Sequence, residues 1–229
     1  EPLIRRMINA NLYDGTAQAA ERLAQFSLRN DISDTLRIEA LNTLETWDDP
    51  SIFDRVTGMY RGEISNNLGD AQEAIAGVME SHLTSSNENL KVATLNAIGN
   101  LDVTEASSQI LALVHDDPSA SVRSASLQAL FDLDYEALDD VLAISLEDSN
   151  QEVRMKVLNL LVDSDFTPET KVALYTTTLE EGTASEKKEA YGALGRLNTP
   201  GAADLLVNEL EALKDGDLNR NIHLDLVLA

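Results

Sequence analysis

The sequence predicts an all-α protein, a right-handed α-α superhelix in which about six to seven helix pairs stack in order through residues 1–229. Three observations carry this expectation. A short apolar-and-basic frame recurs about every 32 residues. Each recurring unit holds two stretches whose apolar residues follow a 3.6-residue period. No segment alternates apolar and polar residues as a half-buried strand does, so no sheet is expected.

The frame is clearest at Val122-Arg123-x3-Leu127-x2-Leu130 and Val153-Arg154-x3-Leu158-x2-Leu161. It recurs at Leu90-Lys91-x3-Leu95-x2-Ile98 and Leu36-Arg37-x3-Leu41-x2-Leu44. Weaker copies stand at Lys187-x3-Tyr191-x2-Leu194 and Arg220-x3-Leu224-x2-Val227. The basic positions 37, 91, 123, 154, 187 and 220 are separated by 54, 32, 31, 33 and 33 residues. The long first step reads as one unit carrying an insertion of about 22 residues, placed at Ser51–Asp70. Arg5 with Leu12 has the look of a degraded first copy.

Within a unit the first helix shows its stripe at Val122, Ala125, Ala129 and Leu133, and again at Val153, Val157, Leu160 and Leu161. Ser119 and Asn150, four residues before each Arg, are good N-caps. Second helices carry Val141 and Leu142, then Val172, Tyr175 and Leu179, then Leu205, Leu206, Leu210 and Leu213. Pro168 and Pro200 fall where such helices begin, since the first turn has no use for the missing N–H. Helices of about 13 residues cannot bury their stripes alone, but neighbouring pairs can share a core. The basic residue of each frame is expected to lay its stem over a neighbour and reach loop acids such as Asp117 and Asp148.

Composition narrows the functions. The chain is 43% hydrophobic, enough for a sizeable core. Its net charge of −23 disfavours nucleic acid and anionic lipid and tolerates a basic partner. With no cysteine, disulfides, Cys-ligated zinc, haem attachment and thiol catalysis are excluded from this segment. No apolar run approaches the ~20 residues that direct membrane insertion requires.

The period and the Val-Arg-x3-Leu-x2-Leu frame resemble HEAT repeats, with armadillo-like repeats second, over residues 30–229. A narrower resemblance covers residues 5–61, through the run Arg6-Met7-Ile8-Asn9-Ala10-Asn11-Leu12, then Gly15-Thr16-Ala17. It continues in Trp47-x2-Pro50-x3-Asp54-Arg55-Val56-x-Gly58-x-Tyr60-Arg61. This pattern is similar to the HEAT region of large exported bacterial membrane-bound dehydrogenases or haem-binding proteins. In those, a sugar-dehydrogenase-like β-propeller precedes the repeats and a c-type cytochrome follows. The chain has neither propeller strands nor Cys-x2-Cys-His. The resemblance therefore implies a connecting or interaction module of a longer exported protein, periplasmic or at the cell surface. It would hold no cofactor and carry out no catalysis itself, and its partners would be another protein or the flanking domains. Some HEAT-like proteins act on bilins or alkylated bases, so a bilin lyase is the enzymatic alternative; the acidic balance opposes the base-excision one.

Little chemistry assembles along the sequence. His82, His115 and His223 have no metal-ligand spacing and read as surface or helix-end residues. Acidic pairs such as Asp48-Asp49 and Asp116-Asp117 lie in turns, where water keeps both ionised. Asp163-Ser164-Asp165 lacks the glycine and closing glutamate of a calcium loop. No metal site is expected. Two partner-binding candidates remain. In and beside the insertion, Trp47, Phe53, Asp54, Arg55, Tyr60 and Arg61 gather the aromatic and Arg residues typical of interaction hot spots. Equally, Trp47, Phe53 and Tyr60 could cover an open core edge while Asp54 and Arg55 pin the loop. The second candidate is the inner face of the array, with Glu136, Asp139 and Asp140, along with Glu105, Gln109, Glu169, Asn208 and Glu211. That acidic lining suits a basic segment.

Overall fold

The computed structural model describes residues 1–216 and 218–229. Among them the regular structure is helical, apart from one isolated antiparallel bridge between Phe53 and Tyr60. The helices divide between two compact units, Glu1–Glu136 and Ala137–Ala229.

The first unit contains α1 (Pro2–Asp14), α2 (Ala17–Ser27), α3 (Asp34–Glu45), α4 (Leu68–Ala76), α5 (Met79–Leu83), α6 (Glu88–Asn100), α7 (Ser107–Asp116) and α8 (Ala120–Asp132). One layer runs α1, α3, α6, α8, each packed on the next; α2, α4 and α7 lie in the other. The second unit contains α9 (Leu138–Ser145), α10 (Gln151–Asp163), α11 (Pro168–Glu181), α12 (Ala184–Leu197), α13 (Pro200–Asp215) and α14 (His223–Leu228). There α10, α12 and α14 form the first layer, and α9, α11 and α13 pack against it.

The frame positions make the core because one helix face gathers residues three and four apart. Leu36, Leu41, Leu44, Leu90, Leu95, Ile98, Val122, Leu127, Leu130, Val153, Leu158 and Leu161 are all buried. The expected caps form as well. The Ser119 hydroxyl accepts from Val122 N–H at 3.5 Å, and Asn150 Oδ1 accepts from Glu152 N–H at 2.8 Å. Pro168 and Pro200 open α11 and α13 behind Thr167 and Thr199 caps.

The last frame copy departs from expectation. Arg220 falls in a 3-10 turn, Arg220–Ile222, before α14 begins. The shifted register buries Ile222 and Leu226 and leaves Leu224 and Val227 exposed. On α13, where several apolar residues were expected inside, only Ala202 is fully buried; Leu210 is exposed.

His82 stands in the last turn of α5, at a helix end, but it is 1% exposed rather than on the surface. Its Nε2 lies 2.7 Å from the Ser27 hydroxyl, and that hydroxyl donates to the Ala24 carbonyl at 2.6 Å. With the hydroxyl proton so placed, the imidazole is the donor. The pair ties α5 to the end of α2.

Candidate functional site

Residues 46–67, between α3 and α4, contain no helix. The excursion is ordered by its own chemistry. It leaves α3 with Trp47 N–H on the Leu44 carbonyl, and the Trp47 side chain is wholly buried. The chain then doubles back. Asp54 N–H donates to Met59 O at 2.8 Å and Arg61 N–H to Ile52 O at 2.9 Å. Gly58, at φ +69°, allows the reversal. The Phe53 and Tyr60 rings meet edge to face, 6.1 Å between centroids.

Asp54 holds this hairpin and fastens it to α1. Its side chain is 5% exposed. Oδ1 accepts from the N–H groups of Val56 and Thr57 at 3.0 and 2.8 Å. Oδ2 accepts from Asn9 Nδ2 at 3.0 Å and from Arg61 Nε at 3.3 Å. The Thr57 N–H does most to hold the carboxyl down at about 2, against burial; Val56 N–H, the Thr57 hydroxyl and Arg61 add to it. Arg55 reaches α3, donating to the Asn42 carbonyl and the Thr43 hydroxyl, both at 3.1 Å. At the far end Asn66 Nδ2 donates to the Leu12 carbonyl at 2.9 Å. Gly15, at φ +63°, closes α1, and a Cβ there would come within 2.4 Å of Asn66 Oδ1.

Between the hairpin and α1 lies a cavity of about 560 Å³, lined by Arg6, Asn9, Tyr13, Asp54, Thr57 and Arg61 among others. The Arg61 guanidinium sits 5.9 Å from the Tyr13 ring centroid. Burial, then the Asp54 charge, raises the Tyr13 hydroxyl above its ordinary pKa. A cavity of about 590 Å³ in the second unit is lined by Asp148, Arg154 and Glu186 among others. There Arg154 is committed, with Nε on Glu186 Oε1 at 2.7 Å and an N–H on the Asp148 carbonyl at 2.6 Å.

The structure thus sorts the sequence candidates. Asp54 and Arg61 meet in the α1 cavity, while Arg55 braces the hairpin on α3. Phe53 and Tyr60 stand exposed on the outside, with Ile52 and Met59 also exposed; Trp47 offers no surface. Glu136 is exposed at the end of the first unit, and Asp139 and Asp140 lie in the first turn of α9. Burial, then Asp165, raises the Asp139 carboxyl above its usual range. Arg6, Asn9, Tyr13 and Thr57 were not among the sequence candidates, although Arg6 and Asn9 lie in the run that carries the narrower family resemblance. Among the described residues no three His, Asp or Glu are placed to hold a metal ion. None of the described helices is long and apolar enough to cross a membrane.

Residues 75–162 match the family of HEAT repeats. A designed armadillo repeat protein in complex with the peptide (KR)4 superposes with a TM-score of 0.51 at 16% identity, over 86% of this chain and 99% of that one. An engineered protein gives 0.50 at 15% identity, over 90% and 93%. No curated protein matches the chain in sequence. The fold is therefore that of HEAT and armadillo helical repeats.

Proposed function

We propose that this chain is a non-catalytic protein-interaction scaffold whose contact surface is the 46–67 excursion and the α1 and α3 surface beneath it. The observation that carries this is the exposure of Ile52, Phe53, Met59 and Tyr60 on a hairpin whose base is fixed by buried Asp54. Exposed apolar side chains held rigidly lose little freedom on binding, which is the condition for an interaction hot spot. The fold supports the reading, since stacked helix pairs offer extended surfaces to partners and a structural neighbour is a peptide complex. The likeness of residues 5–61 to the HEAT region of exported dehydrogenase-type proteins extends the proposal. The segment would hold a protein or flanking domains in place in a longer exported protein, at the periplasmic or outer face, with cofactors carried elsewhere.

A photo-crosslinking residue in place of Tyr60, compared with one in place of exposed Glu180 on α11, tests this in the native host. A discrete adduct, intermolecular or to a flanking domain, is expected from position 60 and not from 180. Equal background labelling from both would overturn the assignment.

A further inference from the structure

Charge is unevenly spread along this acidic chain. Residues 1–61 carry seven arginines and ten carboxylates, only −3 of the chain's −23. The contrast is sharpest beside the hairpin. The α1 cavity is lined by Arg6 and Arg61, with Asp54 as its one carboxylate. A second cavity, of about 340 Å³, is bounded by α1, α3 and the excursion; Arg5 and Arg55 line it, with Glu39 as its one carboxylate. Residues 5 and 6 are consecutive yet line different cavities, and so are 54 and 55. The two cavities therefore adjoin across the foot of the hairpin. Elsewhere the sign is reversed. The large cavity of the second unit sets Glu147, Asp148, Glu181 and Glu186 against Arg154 alone. A cavity beside α4 carries Glu73, Asp102 and Glu105 and no basic residue.

The four arginines are all exposed and keep donors to spare. Arg5 holds Glu39, and Arg61 holds Asp54, by hydrogen bonds from Nε alone. Arg55 donates to neutral oxygens of Asn42 and Thr43, and among the described residues no carboxylate pairs with Arg6. Glu45, near Arg55, accepts from Asn100 Nδ2 at 2.6 Å. The excursion's remaining carboxylates, Asp48, Asp49 and Glu63, line neither cavity. Phe53 and Tyr60 stand one position before Asp54 and Arg61, so exposed rings and guanidinium groups share one small surface. We propose that the partner segment bound there is acidic, a stretch of polypeptide with carboxylates beside apolar side chains. Its carboxylates would meet the arginines on either side of the hairpin, and its apolar groups the Phe53 and Tyr60 rings. This rests on the reading of the excursion as a contact surface and adds the chemistry of what it contacts. Solvent screens the chain's excess acid beyond about 10 Å, so a short segment answers to the local charge. An extended anionic membrane would also meet the −20 carried by the rest of the chain.

The test is an NMR titration of the full chain at low salt, following the Gly58 and Tyr60 amides and the Arg61 Nε–H. The probes are three peptides of equal length. In the first, glutamate alternates with phenylalanine and leucine; the second has lysine for glutamate; the third has glycine for the apolar residues. Saturable shifts at all three signals are expected with the first peptide. The second should bind at least about tenfold more weakly, because like charges oppose it, and the third at least about fivefold. Arg6→Gln should weaken the first peptide about threefold, the loss of one exposed ion pair. Arg29→Gln, at an exposed site that lines neither cavity, should leave it unchanged. A lysine peptide that binds as tightly as the first, or an Arg6→Gln variant that binds undiminished, would overturn the proposal. So would phosphatidylglycerol vesicles or an oligothymidylate binding more tightly than the acidic peptide. Hairpin shifts that grow with protein concentration alone, the mark of a second copy as occupant, would do the same. Absence of any peptide shift overturns it as well; the adduct from position 60 then decides separately whether the hairpin is a contact surface at all.

Discussion

Two buried polar pairs join residues far apart in the chain, Ser27 with His82 and Asn9 with Asp54. Their separations, 55 and 45 residues, match no spacing that a local pattern could disclose. His82 reads in the sequence as an ordinary surface or helix-end histidine, because the partner that buries it belongs to another helix. Asp54 and Arg61 stood out as part of an aromatic and Arg cluster; Asn9 did not, since a single Asn in an amphipathic helix gives no signal. The concentration of arginine in residues 1–61 is the one feature that could have pointed to the cavity. Burial, then the nearby Arg37, lowers the His82 pKa to about 4 from 6.5. The unfolded chain therefore takes up this proton more readily, and the folded state loses stability as pH falls from about 6.5 toward about 4. The loss between pH 7 and 5 should be on the order of 2 kcal/mol. His82→Asn should remove that part of the slope while leaving the contribution of the carboxylates. Parallel denaturation curves of both proteins at the two pH values check this; identical slopes would contradict it.

At the scale of elements, the repeat frame was legible because each copy needs the same apolar face and the same cap. Lys91 and Arg154 of the frame act as the spacing suggested, joining successive repeats, whereas Arg37 turns to the Ser27 carbonyl and to Asp34 of its own helix. Lys91 on α6 pairs with Asp117, ahead of α8, at 2.6 Å, and Arg123 donates to the Asp117 carbonyl at 2.8 Å. In the second unit Arg154 on α10 pairs with Glu186 on α12. Lys91 and Asp117 are 13% and 3% exposed, so this is a largely buried pair. What the frame could not show was its own failure at Arg220, where a 3-10 turn rotates α14. Leu127 and Leu158 are both fully buried, one in each unit. Truncating either to Ala should cost ~2–5 kcal/mol. An unchanged denaturation midpoint in both variants would contradict the packing. Gly15→Ala should also destabilise, because it strains a left-handed position and drives a methyl into Asn66. Loss of melting temperature relative to Gln18→Ala, on the exposed side of α2, measures it.

At the scale of the molecule, helix pairs too short to fold singly share cores, and among the described residues all their carboxylates but Asp54, Asp117 and Glu186 stay out of those cores. That much followed from period and composition. The excursion was visible only as a long step between frames, since its order comes from contacts to α1 and α3 that no local pattern encodes. Its boundaries shifted accordingly, with Leu68–Asp70 already forming the start of α4. The central claim is that this excursion is a rigid surface before any partner arrives. Hydrogen exchange of the free chain tests it most directly. The amides of Asp54, Val56, Thr57, Gly58 and Arg61, all hydrogen-bonded within the hairpin, should exchange far more slowly than in an unstructured peptide. The Asp54→Asn variant should lose that protection while the helices keep theirs. Exchange at unstructured rates in the unaltered chain would contradict the claim.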